Sequence, residues 1–385
     1  MNACARHKRT ERERVSSVWY GMSVAAASPA CAQQNHQAIL AYLESAVLVR
    51  ARAPLRISFA GGGTDVSPYF EEKSGAVLSA TIDRYAFATL EPSETMSLTV
   101  RSIDYDLTVR FELGDPLVYD GQLDLAKGVV QHFVRAGSMT NGADIYLHND
   151  APPGSGLGSS SALTVALLQA IAHYVRVPMG PYEIADTAYR IERLDVGIKG
   201  GKQDQFACTF GGVNFIEFTA DATVVNPLRI KPDIIAELEY SLLFAYIGGG
   251  RLSSHIIEKQ TSNFSRGVPD TLEALDTLKE LAYEAKKALL LGRLALFGEL
   301  LDGAWQCKRR LAAEISNPRI DEIYAEARKA GALGGKLSGA GGGGFMFFFC
   351  DPRRRFSVQE ALVRMGATIV NFSFTNEGVR SWTLD

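Results

Sequence analysis

A loop rich in glycine and serine, PPGSGLGSSS over residues 152–161, stands directly before an apolar stretch, ALTVALLQAIAHY. Ordered glycine costs roughly 0.5–1 kcal/mol more than alanine, so a cluster of it marks a backbone requirement such as an unusual turn or close approach to a ligand. Behind the loop, Leu163, Ala166, Leu167, Ala170, Ile171 and Tyr174 recur at helical spacing and predict one face of an amphipathic helix. Gly154–Ser160 would then sit at the helix N-terminus, where unpaired N–H groups and the macrodipole attract anions. A phosphate suits that position. The plainer alternative is a serine cap after a flexible turn, for which one Ser and one Gly would suffice.

Two carboxylates carry the next signal, in IERLDVGIKGGKQDQ. Glu192 lies four residues after Ala188, on or beside the apolar stripe formed by Ile184, Ala188 and Ile191 in a second predicted helix. Asp204 follows twelve residues later, after a glycine-rich loop. An inward-facing carboxylate usually has a partner. Such a pair could be a buried ion pair or a cap. It could equally be a Mg²⁺ ligand plus a base, since Mg²⁺ takes one or two carboxylates together with phosphate oxygens and water. In RAPLRISFAGGGTD, Arg56 falls in a strand among Leu55, Ile57 and Phe59, with Asp65 just past three glycines. An arginine so placed could face solvent, and this signal alone decides nothing.

The fourth signal is KLSGAGGGG. It contains a literal G-x-G-x-x-G from Gly339 to Gly344, but the apolar run FMFFF follows where a dinucleotide-binding fingerprint requires a helix. The pattern G-x-x-x-x-G-K-[ST] is absent. Four successive glycines exceed the needs of a turn, so the expectation is a wall beside a ligand.

The elements that must position these residues are mixed. LVRARAPLRISFAGGG reads as a strand or hairpin; AVLSATIDRYAFATLEP, SLTVRSIDYDLTVRFEL, ADIYLHND, GGVNFIEF and YSLLFAYIGGG have β character. Helical material runs from about Ser253 to Ala330, followed by a helix near Ser357–Met365 and a last alternating strand, TIVNFSFT. The order is α+β rather than a regular βαβ alternation.

The chain has 385 residues, enough for two domains, and 46% hydrophobic content, enough for a sizeable core. Its net charge is −3 with scattered basic residues, which argues against nucleic acid as a partner. No apolar run approaches the roughly 20 residues of a membrane span. Cys4, Cys31, Cys208, Cys307 and Cys350 form no zinc or disulfide pattern, which suits a reducing cytoplasm. Residues 1–48 differ from the rest: RHKRTERER is charged, and SVAAASPACAQQ is too short and interrupted for a secretion signal. A poorly ordered extension, or a start placed too far upstream, is expected there, with a short helix in NHQAILAYLESAVL.

Taken in order, these motifs resemble those of the GHMP kinase superfamily. PPGSGLGSSSA resembles its phosphate-loop signature, RAPLRISFAGGGTD its N-terminal motif and KLSGAGGGG its C-terminal one, over a span from about Val49 to the C-terminus. Within the superfamily the chain is most similar to the D-glycero-α-D-manno-heptose-7-phosphate kinases, through LRISFAGGGTDVSPY, GGKQDQFACTFGGVNFIEF, VNPLRIK, GGFMFFFCDP and FSFTNEGVRSW. Galactokinases carry Glu-His where this chain has Gly62-Gly63, a departure that argues against galactose.

The resemblance implies a two-domain fold, with a left-handed βαβ crossover in an N-terminal domain (residues 49–220) and a ferredoxin-like C-terminal domain (residues 221–385). It implies ATP-dependent phosphorylation of O-1 of heptose 7-phosphate, with ATP and Mg²⁺ bound, for GDP-heptose and surface glycan synthesis. Pro153, Gly154, Ser155, Gly156, Leu157, Gly158, Ser159 and Ser160 would hold ATP. Ser160 and Glu192 would hold the metal, Asp204 would take the acceptor proton, and Arg56 would steady the reacting oxygens. Gly62, Gly63, Thr64, Asp65, Gly341 and Gly342 would line the sugar. For the sugar's 7-phosphate the first candidate is Arg251 in GGGRLSSHIIEKQ, and Lys199 and Lys202 are the second. A homodimer is compatible with the family, and no membrane or nucleic-acid partner is implied. The rival readings are a fucokinase-like sugar-1-kinase and a non-catalytic sugar sensor on the same fold. The joint presence of Arg56, Ser160, Glu192 and Asp204 weighs against the sensor.

Overall fold

The computed structural model describes residues 48–93, 95–115, 117–249 and 253–384. The expectations for residues 1–47 and for Arg251 lie outside the described residues.

The first long strand, β1 (Leu48–Ala60), pairs antiparallel with β2 (Gly75–Pro92), and α1 (Tyr69–Lys73) lies between them in sequence. A hairpin follows, β3 (Ser97–Ser102) and β4 (Leu107–Glu112), then α2 (Asp124–Arg135) and β5 (Ala143–Asn149). Next come α3 (Ser159–Tyr174), α4 (Pro181–Arg190), α5 (Gln203–Phe210), β6 (Val213–Phe218) and β7 (Thr223–Pro227). The remainder comprises α6 (Pro232–Ser241), β8 (Leu242–Tyr246), α7 (Ser253–Ser265), α8 (Pro269–Leu290), α9 (Leu294–Arg309), α10 (Pro318–Ala330), β9 (Ala332–Leu337), β10 (Phe345–Cys350), α11 (Arg355–Arg364), β11 (Thr368–Ile369) and β12 (Arg380–Leu384).

Two sheets result. The larger has the order β12-β1-β2-β5-β3-β4, with β6 on β2 and β7 on β6. The 18-residue β2 serves two neighbours in turn: its first residues pair with β6 and its last with β5. The pair β3–β5 is parallel and is joined through β4 and α2. The smaller sheet is antiparallel in the order β11-β8-β10-β9. Thr223–Pro227 and Arg380–Leu384, which the sequence reading placed in a second domain, both hydrogen-bond into the larger sheet.

Two local expectations change, and one strand is added. The helix α3 is buried nearly all round, Thr164, Val165 and Leu168 included, because it is wedged between the larger sheet and neighbouring helices. The segment TIVNFSFT forms only the two-residue strand β11. From Val370 it crosses between sheets, donating to Phe244 O and then pairing with Thr81 and Asp83 of the larger sheet, so it cannot follow one ladder. The strand β12, unremarked in the sequence, closes the edge beside β1.

The core is continuous through both sheets. Phe59 of β1 meets Phe297 of α9, Phe347 of β10 and Phe374 at ring separations of 5.4, 5.8 and 6.2 Å. From Ala53 to Ala60 every residue of β1 is buried, which puts both faces of that strand in the interior.

Candidate active site

The glycine-rich loop ends at Gly158, whose positive φ of 74° turns the chain into α3. Its backbone is fixed from behind by the C-terminal glycine motif. A Cβ on Gly156 (φ 80°) would fall 2.4 Å from Ser338 O, and one on Gly339 would fall 2.6 Å from the Gly156 Cα. Ser338 Oγ donates to Gly156 O at 2.9 Å, and Phe345 N donates to Ser155 O. In Gly339–Gly344 small size also serves backbone contact. Side chains on Gly341, Gly343 and Gly344 would strike Ile315, Gly249 and Ser155. Gly342 N donates to Ile315 O.

Arg56 points from β1 to the same loop. Its side chain is 3% exposed, which settles the choice between interior and solvent. Nη1 donates to Gly156 O at 2.7 Å, Nε donates to Asp204 Oδ1 at 2.8 Å, and Nη2 lies 2.5 Å from that oxygen. Asp204, in the first turn of α5, keeps a side chain 21% exposed. One carboxylate thus touches a buried guanidinium while remaining partly open to solvent.

Glu192 lies in a π-helical turn (Ile191–Asp195) that continues α4, closed by Val196 N donating to Ile191 O. The wider turn is a device common at functional sites. The residue is fully buried. Its Oε2 accepts from Ser161 Oγ and Gln205 Nε2, both at 2.9 Å, and lies 3.1 Å from Arg193 Nη1. Burial pushes the Glu192 carboxyl above its usual range, opposed first by Arg193. Its Oε1 is buried with no hydrogen-bond donor. An orphaned carboxylate oxygen beside the Ser161 hydroxyl can serve a hard cation such as Mg²⁺, completed by phosphate oxygens and water. The hydroxyl bonded to Glu192 is that of Ser161. Ser160 turns to solvent, since successive helix residues point about 100° apart.

Asp65 is buried and heavily engaged. Oδ1 accepts from Gly63 N and Gln203 Nε2, and Oδ2 accepts from Gln203 N, which caps the start of α5. Thr64 Oγ1 ties Gly61 O and Ala76 to the same turn. Gly62 faces Ser58 Oγ and the Gln203 amide, and Gly63 O accepts from Gln260 Nε2 of α7. Lys202 is occupied otherwise: its Nζ lies over the rings of Phe70 and Tyr189, at 5.1 and 4.9 Å. Lys199 is exposed.

Two lysines escaped the sequence reading. Lys336 Nζ, 1% exposed, donates to Ser58 O at 2.9 Å; burial, with Lys308 and Arg56 nearby, lowers its pKa well below the usual value. Lys308, 6% exposed, donates to Gly339 O at 2.5 Å; burial lowers it to about 8. A signal for Lys308 existed. Leu301, Ala304, Trp305 and Lys308 fall at i, i+3, i+4 and i+7, which puts an ammonium on the buried face of α9.

A deep glycine loop braced by a second glycine motif, over an arginine–aspartate pair and a buried glutamate, defines a phosphoryl-transfer class of site. Residues 124–212 match the GHMP kinases N terminal domain and residues 285–368 the GHMP kinases C terminal domain. The chain belongs to the GHMP kinases. It is 39% identical over 338 residues to the D-glycero-alpha-D-manno-heptose 7-phosphate kinase of Campylobacter jejuni, covering 87% of this chain and 99% of that one. The crystal structure of a D-glycero-D-manno-heptose 1-phosphate kinase from Bacteroides thetaiotaomicron superposes with a TM-score of 0.73 at 35% identity, covering 88% of this chain and 99% of that chain. The bifunctional fucokinase/GDP-fucose pyrophosphorylase of Arabidopsis thaliana is 28% identical over 77% of this chain, which matches 29% of that protein. The first two relatives fix the particular branch: the chain is a homologue of the heptose phosphate kinases. Among the described residues, no helix is long and apolar enough to cross a membrane.

Proposed function

We propose that this protein transfers the terminal phosphoryl group of ATP to O-1 of a D-glycero-D-manno-heptose 7-phosphate, giving the 1,7-bisphosphate. The observation that carries the reading is the Arg56–Asp204 pair held against Gly156 of the phosphate loop. The two heptose relatives are named for different phosphates, on C-7 in one and on C-1 in the other. Read as acceptors, those names differ, and the O-1 assignment follows the first of them.

In this reading the N–H groups at the start of α3 and the backbone of Gly154–Ser159 bind the nucleotide phosphates. Asp204 accepts the proton of the acceptor hydroxyl as the new phosphorus–oxygen bond forms, and ADP leaves with the electrons of the broken bond. Arg56 holds Asp204 in place and offsets charge on the reacting oxygens. Mg²⁺, when bound through Glu192, supplies charge neutralisation of the phosphates. Positioning and electrostatics carry most of phosphoryl transfer. An anomeric hydroxyl is more acidic than an ordinary alcohol, so a carboxylate suffices as base.

The test is ADP release across heptose 7-phosphate, free heptose, fucose and galactose, with the product examined by phosphorus NMR. Turnover should be selective for heptose 7-phosphate and should place a second phosphate on C-1. Turnover on fucose with none on phosphorylated heptose would overturn the substrate assignment.

A further inference from the structure

The reaction as described leaves Lys308 unused. Its Nζ donates to Gly339 O, and Gly339 backs directly on Gly156, whose carbonyl takes Arg56 Nη1 at 2.7 Å. The ammonium therefore enters the Arg56–Asp204 cluster from the α9 side. The charged groups around it are Asp65, Arg56, Asp204 and Lys336. Each of those carboxylates is already engaged, Asp204 by Arg56 and Asp65 by Gly63 and Gln203.

An ammonium has three donors, and the hydrogen bond that Lys308 makes among the described residues is to one backbone carbonyl. A buried charge is unfavourable unless paired. Lys336 is sealed in, held well below the usual lysine range by burial, and ties β9 to β1 through Ser58 O. Lys308 differs. It retains its charge at neutral pH and a small opening to solvent. A buried, preorganised cation with free donors, near Asp65, Arg56 and Asp204, stabilises charge that develops during reaction.

We propose that the Lys308 ammonium binds the migrating phosphoryl group, pairing with its peripheral oxygens as it passes from nucleotide to sugar. The inference rests on the phosphoryl-transfer reading. In that step the acceptor oxygen bonds to phosphorus, the bond to the β–γ bridging oxygen breaks with its electrons going to ADP, and the acceptor proton goes to Asp204. Lys308 keeps its protons throughout and contributes charge alone.

The experiment compares the full chain with Lys308→Met and Lys308→Arg. In Lys308→Met, kcat should fall at least 100-fold. Affinity for MgADP, which lacks the migrating group, should stay within threefold, and Tm should hold or rise because an unpaired buried charge is gone. Lys308→Arg should recover at least tenfold of the lost kcat. A kcat within threefold of wild type in Lys308→Met overturns the proposal. So does a raised sugar KM at unchanged kcat, which would put the ammonium on the substrate's own phosphate. A lower Tm together with weaker MgADP binding also overturns it, leaving Lys308 as a support for Gly339. If the wild-type chain turns over no sugar, the phosphoryl-transfer reading itself fails and this inference with it; wild-type turnover that survives in Lys308→Met removes the role of Lys308 alone.

Discussion

At the scale of single residues, one guanidinium organises the site. Arg56 is buried, and its contacts join the base candidate to the phosphate loop. Asp204→Asn keeps the shape of the side chain but removes the proton acceptor. It should lower kcat by roughly 10²–10⁴-fold while MgATP still binds, the range a positioned base contributes; a kcat within threefold of wild type would remove Asp204 from the mechanism. A pH experiment addresses Lys308 separately. Its pKa of about 8 in the folded chain lies below the ordinary lysine value of 10.5, so between those pH values the unfolded chain binds more protons. Stability contributed at this residue therefore rises as pH climbs from 8 to 10.5 and is lost as pH falls back through 8. The Tm advantage expected of Lys308→Met should shrink over that window, and an advantage that grows with pH would contradict the burial argument. Glu192 was conspicuous as a charge on an apolar stripe, whereas Arg56 and Asp204 were singled out by the family resemblance, since an arginine in a strand and an aspartate after a glycine-rich loop decide nothing alone. Ser161 was not, since three serines in a row carry no sign of which one faces inward.

At the scale of elements, the phosphate loop is defined as much by its neighbour as by its own sequence. Both glycine motifs could be read as motifs, but the requirement that Gly156 and Gly339 touch emerges only when a loop before α3 meets the turn between β9 and β10. Gly156→Ala meets two obstacles at once, a left-handed φ of 80° and a Cβ placed 2.4 Å from Ser338 O. It should lower stability by about 1–3 kcal/mol, the range for strained backbone, and should raise the KM for ATP more than that for sugar. An unchanged Tm and ATP KM would show that the two turns do not need this approach. The π turn at Ile191–Asp195 was likewise hidden: helical spacing placed Glu192 near the apolar stripe, but the extra residue that turns it wholly inward depends on packing against Ser161 and Gln205. Strand β12 was missed because RSWTL is short and polar, and its pairing partner lies more than three hundred residues earlier.

For the molecule as a whole, the two-domain arrangement is joined by a shared core. The two sheets are separate ladders, yet Phe59, Phe297, Phe347 and Phe374 form one aromatic cluster drawn from β1, α9, β10 and the crossing segment. Lys336–Ser58, Gln260–Gly63 and Tyr69–Asp276 add hydrogen bonds between the same two halves. The placement of Lys308 on α9 relative to Asp204 on α5 relies on those halves moving little. If the shared core sets that geometry, a cavity there should weaken both halves together. Phe59→Ala, at a fully buried position, should cost about 3–5 kcal/mol. Calorimetry should show one cooperative transition moved to lower temperature, with hydrogen exchange accelerated in β8 and β10 as well as in β1 and β2. Two resolved transitions, only the one containing β1 displaced, would mean that the sheets fold independently and that the shared core does not set the site's geometry.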